Sequence, residues 1–303
     1  MKHSAKDFRT LNSVTDFTEH FGFPKPVHPL LAVIDLTPTQ HRPPPGPTLR
    51  QLYIISLKKN LKGKLQYGHQ AYDFGEGVLG FYAPGQLCLA PEGVDTSELS
   101  GWMLVFHPDL LHKHPLGKKM ASYNFFSYQV HEALHLSAQE ESLLDGLLHG
   151  IRTEVAQPID AFSQDVLASQ LEVLLTYANR FYHRQFLTRR PTAHDLLSRF
   201  EELLTAHFVQ GGERPLPTVQ HFANALHVSP AYLSDMLRSL TGQNTQQHIH
   251  QHLIEKAKGL LLSTSLTINE TAFQLGFDYP HYFSRLFKSK TGLTPAEFRF
   301  SVQ

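Results

Sequence analysis

The sequence predicts a two-domain protein, with a mainly-β N-terminal barrel that carries two helices and an all-α C-terminal domain. Its 303 residues are enough for about two domains. Short apolar runs separated by Gly, Pro or Asp fill the first part of the chain, a pattern typical of a small barrel or sandwich. From Ala193 onward the apolar residues instead recur at helical spacing. We therefore predict domains at 1–190 and 191–303, joined at the segment TRRPTAHD (188–195).

The composition limits the possible function classes. The 27 Lys and Arg residues balance the 27 Asp and Glu residues, so binding to nucleic acid would depend on a local concentration of positive charge. The single cysteine, Cys88, excludes intramolecular disulfides and argues against a cysteine-based zinc site. No apolar run reaches the roughly 18 residues of a membrane span, and the N-terminus lacks the apolar core of a secretory signal. We expect a cytoplasmic protein with no membrane partner and no cofactor.

The N-terminal domain is predicted to consist of short strands. LYIISLKK (52–59) alternates in side-chain character, and the runs KLQY, AYDF, VLGFYAP, QLCLAP and GWMLVFHP follow it at short intervals. A barrel interior lined by aromatic side chains could hold an apolar or aromatic effector. The same residues could equally be ordinary core. The candidate pocket residues are Tyr67, Tyr72, Phe74, Phe81 and Trp102.

Two helices are predicted after these strands. Ser137 and Glu140 have the spacing of a capping box at the start of the first helix. The second helix, about 161–186, carries an apolar seam at spacings of 4, 3, 4 and 3, which is typical of a coiled-coil interface. The seam could form a dimer interface or pack on its own barrel. It consists of Leu167, Leu171, Leu174, Ala178 and Phe181.

The C-terminal domain contains one short helix twice, as SPAYLSDMLRSLTG (229–242) and YPHYFSRLFKSKTG (279–292). Ser229 and Asp278 are candidate N-caps, and each copy ends in Thr-Gly. A short helix and a tight turn precede each copy, so we predict helix-turn-helix units at about 218–242 and 267–292. The helix between them, about 245–262, would span roughly 25–30 Å, close to the ~34 Å of one DNA turn.

The outward faces of the two copies are the candidate DNA-binding surface. Arg285 and Lys288 in the second copy can bind guanine or phosphate, whereas Asp235 in the first copy repels phosphate and could accept from cytosine or pair with Arg238. We expect the second unit to supply more affinity and the first to discriminate between sequences, although either face could be merely solvated. The candidates are Ala231, Tyr232, Ser234, Asp235, Arg238, Tyr279, His281, Tyr282, Ser284, Arg285 and Lys288.

The segment from about Ala193 to Ser301, above all IN-E-TAFQLGFDYPHYFSRLFKSKTGLTPAEFR, resembles the DNA-binding domain of the AraC/XylS family. The resemblance implies a transcription regulator that binds two adjacent major grooves of double-stranded DNA and acts with RNA polymerase. The stretch AYDFGEGVLGFYAPGQ (71–86) resembles the cupin-like effector or dimerisation domain of such regulators. It implies a small-molecule effector and a homodimer as further partners.

Three other interpretations compete with this one. HIHQH (248–252) places His248 and His252 on one helix face like zinc ligands, but nothing acidic sits at a fitting third position and no cysteine is nearby, so we predict no metal. A cupin-type enzyme needs a His-x-His pair, and the sequence around His69 reads GHQAYDFGEG, so we predict no enzyme and keep an enzyme or a pure small-molecule sensor as the alternative. A DNA-repair regulator needs acceptor cysteines, and Cys88 stands alone.

Overall fold

The computed structural model describes residues 8–36, 46–60, 77–88, 99–188, 190–209 and 215–301. The chain forms two compact units, Met1–Gln185 and Phe186–Gln303. The division falls inside a long helix, α4 (Ser163–Thr188), a few residues before the predicted boundary at 190/191. None of the helices among these residues is both long and apolar enough to cross a membrane.

The described strands of the first unit form two sheets. A five-stranded sheet has the order β2-β7-β4-β5-β8, and a three-stranded sheet has the order β1-β3-β6. The described residues do not close into a barrel, so the cupin-like fold stays a prediction, and the predicted strands KLQY and AYDF lie outside the described residues. The strands are β1 (Arg9–Leu11), β2 (Leu31–Asp35), β3 (Thr48–Arg50), β4 (Tyr53–Lys59), β5 (Val78–Tyr82), β6 (Gln86–Cys88), β7 (Ser100–Phe106) and β8 (Leu134–His135).

Among the described residues, four α-helices accompany the sheets, whereas two were predicted after the strands: α1 (Val14–Phe21), α2 (Pro115–Lys119), α3 (Ala138–Val155) and α4. The capping box of α3 is confirmed, because the Ser137 hydroxyl accepts from the Glu140 amide at 3.4 Å and the Glu140 carboxylate accepts from the Ser137 amide at 2.9 Å. Both faces of β4 are buried. Ile54 packs in a cluster with Val14 and Phe17 of α1. This is why the strand lacks a solvent face despite its alternating sequence.

Two of the five predicted pocket residues, Phe81 and Trp102, lie in the core. Their side chains are 6% and 5% exposed. Phe81 packs on Phe125, with ring centroids 4.4 Å apart, and the Trp102 indole donates to the Asp145 carboxylate at 2.8 Å. Both contacts favour the alternative that these aromatics are ordinary core. Tyr67, Tyr72 and Phe74 lie outside the described residues.

The apolar seam of α4 is also buried within this single chain. Four of its residues are fully buried and Phe181 is 6% exposed, which favours packing on the chain's own unit over a subunit interface. A 4-3 spacing marks any helix with one buried face, so the pattern does not say which chain covers it. The seam is Leu167, Leu171, Leu174, Ala178 and Phe181.

The second unit is all-helical, as predicted, and helix α8 lies at its centre. α8 contacts α5, α7, α9 and α11, and its residues Leu253, Ala257 and Leu261 share a core with Phe283 and Phe287. Most of the predicted linker 188–195 is helical, because α5 begins at Arg190 and a proline is tolerated in a first helical turn. The helices are α5 (Arg190–Val209), α6 (Val219–Leu226), α7 (Pro230–Thr241), α8 (Thr245–Ser263), α9 (Ile268–Gln274), α10 (Pro280–Thr291) and α11 (Pro295–Ser301).

Candidate nucleic-acid interface

The two repeated helices are α7 and α10, and their ends are built alike except at one point. The Ser229 hydroxyl accepts from the Tyr232 amide at 3.2 Å, so the predicted N-cap of α7 is confirmed. Both helices end at a glycine in the left-handed conformation, Gly242 at φ 79° and Gly292 at φ 82°. Asp278 does not cap α10. The N-cap position belongs to Tyr279, whose side chain makes no capping hydrogen bond.

The reason is one extra residue in the second turn. The Val228 amide donates to the Ala223 carbonyl and the Phe277 amide to the Ala272 carbonyl, each at 3.0 Å, so the two turns start in the same way. Only Ser229 then precedes the proline of α7, whereas two residues, Asp278 and Tyr279, precede the proline of α10. The insertion moves Asp278 out of the capping position and leaves Tyr279 60% exposed.

The inward faces hold both helices in one rotational position. Leu233, Met236 and Leu237 of α7 are fully buried, as are Phe283 and Phe287 of α10. Burying a large apolar side chain contributes about 1.5–3 kcal/mol relative to exposing it, so rotating either helix would be costly. The opposite stripe of each helix therefore points outward in a defined direction.

The outward stripe of α7 is partly engaged within the protein. A nitrogen of Arg238 lies 3.0 Å from the Asp235 carboxylate, whose side chain is only 19% exposed. The Ser234 hydroxyl shares a 3.0 Å hydrogen bond with buried Thr245 of α8. The Tyr232 ring packs edge-on against Phe186 at 5.2 Å. Among the predicted contact residues of α7, Arg238 is the exposed one, while Ala231 is half-buried.

The outward stripe of α10 is more exposed and more basic. His281, Tyr282, Arg285 and Lys288 are exposed and Ser284 is half-buried. The Arg285 guanidinium makes a cation–π contact, because it lies 5.4 Å from the Tyr282 ring centroid. The His281 ring packs on the same tyrosine, with ring centroids 4.1 Å apart.

The two helices differ in formal charge. Arg285, Lys288 and Lys290 give α10 three positive charges and no acid, whereas Arg238 and Asp235 cancel in α7.

Two histidines of α8, His248 and His252, make contacts within the protein. The His248 ring nitrogen Nε2 lies 2.8 Å from the Thr241 hydroxyl, and its ring packs edge-on on Phe200 at 5.7 Å. Burial lowers the pKa of His248 below its usual value. The His252 ring stacks on Phe208 instead. Across the described ranges, no group of three His, Cys, Asp or Glu side chains could hold a metal ion.

Sequence reasoning missed how the closing TPAEFR segment is held. Thr294 and Glu297 form a capping box, with the Thr294 amide donating to the carboxylate at 2.7 Å. The Arg299 side chain donates to the Leu261 carbonyl at 3.0 Å, which docks α11 on α8 behind α10. The Thr-x-x-Glu spacing was a usable signal for the cap. Nothing local indicates the partner of Arg299, which lies far away in the chain.

Comparison with family models finds a match inside this second unit. A family model described as a helix-turn-helix domain matches residues 222–300. The uncharacterised HTH-type transcriptional regulator YfiF of Bacillus subtilis is 30% identical over 154 residues, which cover 48% of this chain and 46% of that protein. The HTH-type transcriptional activator RhaR of Cronobacter sakazakii is 36% identical over 81 residues, 27% of this chain and 29% of that protein. The bifunctional transcriptional activator and DNA repair enzyme AdaA of Bacillus subtilis is 31% identical over 102 residues, 34% of this chain and 48% of that protein.

The chain spans less than half the length of each of these relatives. Among solved structures, the C-terminal domain of AraT, a response regulator from Geobacillus stearothermophilus, is 36% identical over 35% of this chain and 84% of that chain, with a TM-score of 0.32. A Chromobacterium violaceum regulator described as containing an AraC-type DNA-binding domain is 22% identical over 36% of this chain and 93% of that chain, with a TM-score of 0.31. The predicted helix-turn-helix domain at the C-terminus is confirmed.

Proposed function

We propose that this protein is a sequence-specific transcription regulator whose AraC-type domain inserts α7 and α10 into two successive major grooves of double-stranded DNA. The observation that supports it best is the exposed basic stripe of α10, on a helix whose opposite face is locked by Phe283 and Phe287. α8 has 19 residues and so spans about 28 Å, which is close to one DNA turn.

Each outward residue has a role that its chemistry supports. Arg285 is assigned to a base edge, because its guanidinium can bond guanine in two places at once. Lys288 is assigned to phosphate, because a lysine acts as a point charge. Tyr279, His281, Tyr282 and Ser284 flank them on α10. The less exposed Ala231, Tyr232 and Ser234 make up the same surface of α7.

Asp235 gives the first unit its proposed part in discrimination. Its carboxylate repels phosphate and already binds Arg238 at 3.0 Å. On DNA, Asp235 and Arg238 separate only where a contact with a base replaces their ion pair, for example where cytosine N4 donates to the Asp235 carboxylate. On this proposal α10 supplies most of the affinity and α7 rejects unsuitable sequences.

The test uses the full chain and a duplex enriched by it from a random pool. Arg285→Ala should weaken binding to that duplex by about 1–3 kcal/mol and relax selectivity at one position. Lys288→Ala should weaken binding to all duplexes alike and reduce the salt dependence by about one counterion. Arg199→Ala is the charge-matched control, because Arg199 is an exposed arginine on α5, outside the stripe.

The outcomes separate the parts of the proposal. Wild-type affinity in Arg285→Ala would remove Arg285 from the contact surface. If the wild-type chain enriched no duplex at all, the proposal of sequence-specific binding would be overturned.

The proposal extends to the first unit and to cellular partners. A separate N-terminal unit with its own core supports control by a small-molecule effector. A homodimer is proposed through the outer face of α4, where Val166 and Val173 are exposed at 36% and 43%, together with Phe162 just before the helix, which is exposed at 72%. RNA polymerase is the partner that regulation of transcription requires, and the cytoplasm is the proposed location.

We propose no enzymatic activity. A repair function such as that in the name of AdaA would need a reactive acceptor thiol. Burial raises the pKa of the Cys88 thiol, although Arg50 and Lys58 partly oppose the shift. A protonated, half-buried thiol is a poor nucleophile.

A further inference from the structure

A cavity in the first unit combines an apolar wall with unpaired positive charge. It has a volume of about 540 Å³, within the range of about 300–1,000 Å³ that small-molecule sites occupy. Tyr53, Leu111 and Met120 line it with apolar side chains, and the exposed residues Lys113 and Lys118 line it too. We propose that this cavity binds a small organic acid, with its apolar body against the first set and its anionic group between the two lysines.

The two lysines of the cavity are available for a ligand. Lys119, on the same segment, lies 2.8 Å from the Glu172 carboxylate and is therefore neutralised. Lys113 and Lys118 have no ion-pair partner among the described residues. No Asp or Glu is among the described residues that line the cavity, whereas His112 and His114 do line it. The charge therefore selects an anion and rejects a metal cation.

The backbone carbonyls of residues 109–112 accept hydrogen bonds from within the protein. The Gln164 side-chain amide donates to the carbonyls of Asp109, Leu110 and His112 at 3.3, 2.8 and 3.3 Å. The Leu111 carbonyl accepts from the His114 amide at 3.1 Å. Four successive carbonyl oxygens are thus occupied by internal donors, so the partial negative charges that would repel an anion are already bonded.

Two further features show that the cavity wall has a defined shape. A Cβ on Gly117 would lie 2.7 Å from the Leu111 carbonyl oxygen, so the close approach of α2 to that carbonyl requires a glycine. Lys113 has φ 70°, a conformation that non-glycine residues adopt at a cost in free energy. Such strained residues concentrate at functional sites, and Lys113 is one of the residues that line the cavity.

The ligand class follows from the two surfaces together. The apolar side chains make no favourable contact with an inorganic anion such as phosphate, which would stay hydrated. A carboxylate or sulfonate with an apolar body uses both surfaces. The site lies at the start of β4 and on residues 108–120, and neither Phe81 nor Trp102, the two described members of the predicted effector pocket, lines it.

The test is a fluorescence titration of the full chain, without DNA, using 8-anilinonaphthalene-1-sulfonate as an anionic probe with an apolar body. The neutral probe N-phenyl-1-naphthylamine has nearly the same body and no charge. We expect the double variant Lys113→Gln/Lys118→Gln to bind the anionic probe about tenfold more weakly and the neutral probe about as well as wild type. Lys25→Gln, at an exposed lysine outside the cavity, is the matched control and should change neither.

Each outcome decides the proposal. Equal affinity of wild type and the double variant for the anionic probe would overturn it. Displacement of the probe by hexanoate and not by inorganic phosphate supports an organic acid, and equal displacement by both would overturn that assignment. Because no DNA is present, a failure here leaves the proposed DNA binding untouched, and the double variant should bind the enriched duplex as wild type does.

Discussion

Two glycines of the C-terminal domain should respond in opposite directions to the same substitution. Gly276 has φ 90° in the turn between α9 and α10, whereas Gly259 lies inside α8, where an added Cβ would meet nothing within 4 Å. Gly276→Ala puts an L residue in the left-handed region, which glycine alone adopts without a cost in free energy. Gly259→Ala adds helix propensity at a position with free space.

The expected magnitudes follow from these two environments. A left-handed conformation costs an L residue about 1–2 kcal/mol. Alanine also lowers the conformational entropy of the unfolded chain, which stabilises the folded state by about 0.4–1 kcal/mol. Gly276→Ala should therefore destabilise the second helix-turn-helix unit by about 1 kcal/mol. Gly259→Ala has no strain to set against its gain and should stabilise α8 by about 0.5–1 kcal/mol.

Hydrogen exchange of the full chain, read by mass spectrometry, measures both effects locally. Peptides from residues 268–292 should exchange about fivefold faster in Gly276→Ala. Peptides from residues 249–263 should exchange more slowly in Gly259→Ala. Trp102 lies in the other unit, where its indole bonds Asp145, so its fluorescence should be unchanged in both variants.

Wild-type exchange over residues 268–292 in Gly276→Ala would refute the reasoning. It would mean that the turn does not need the left-handed conformation. The equivalence of this turn with the one at His227, where φ is 58°, would then fail too.

Three more predictions address burial, the proposed dimer face and pH. Because Leu171 is fully buried, Leu171→Ala should destabilise the first unit by about 2–5 kcal/mol, measured by Trp102 fluorescence during urea unfolding. Val173→Asp, on the exposed face of α4, should leave that stability within about 0.5 kcal/mol of wild type but shift the sedimentation of the protein from dimer to monomer. Unchanged sedimentation would exclude this face as an interface. Burial lowers the pKa of His248, so the contribution of this residue to stability is present above about pH 6.5 and is lost as the pH falls through the lowered value. When the free energy of unfolding is measured by helix content in urea between pH 7.5 and 5, it should fall less with pH in His248→Gln than in wild type. An equal fall in both proteins would assign the loss of stability to other groups.

Much of the second unit could be predicted from the sequence because its signals are local. Ser229 caps α7, and Thr267 and Glu270 form the capping box of α9, because each hydrogen bond joins residues three apart. The buried faces of α7 and α10 follow from helical spacing alone. The two glycine C-caps follow from the conformation that glycine alone adopts without strain.

Other features could not be predicted because their partners are distant or depend on one inserted residue. The extra residue before Pro280 moved Asp278 out of its capping position. The seam at Leu171 follows the same spacing whether its own unit or a second chain covers it. In the first unit, the alternating sequence predicted the strand β4 but not that Ile54 would pack with Val14 and Phe17 of α1.

The sequence by itself determined the tandem helix-turn-helix domain and the faces of its helices, because caps, turns and helical periodicity depend on neighbours within a few residues. Only the tertiary structure decided which charges remain available to a partner. Asp235 and Arg238 hold each other, Arg285 lies exposed beside an aromatic ring, and a cavity joins Tyr53 to Lys113 from a distant segment. The physical reason is that charge acts through space, so its effect depends on which residues the fold brings together.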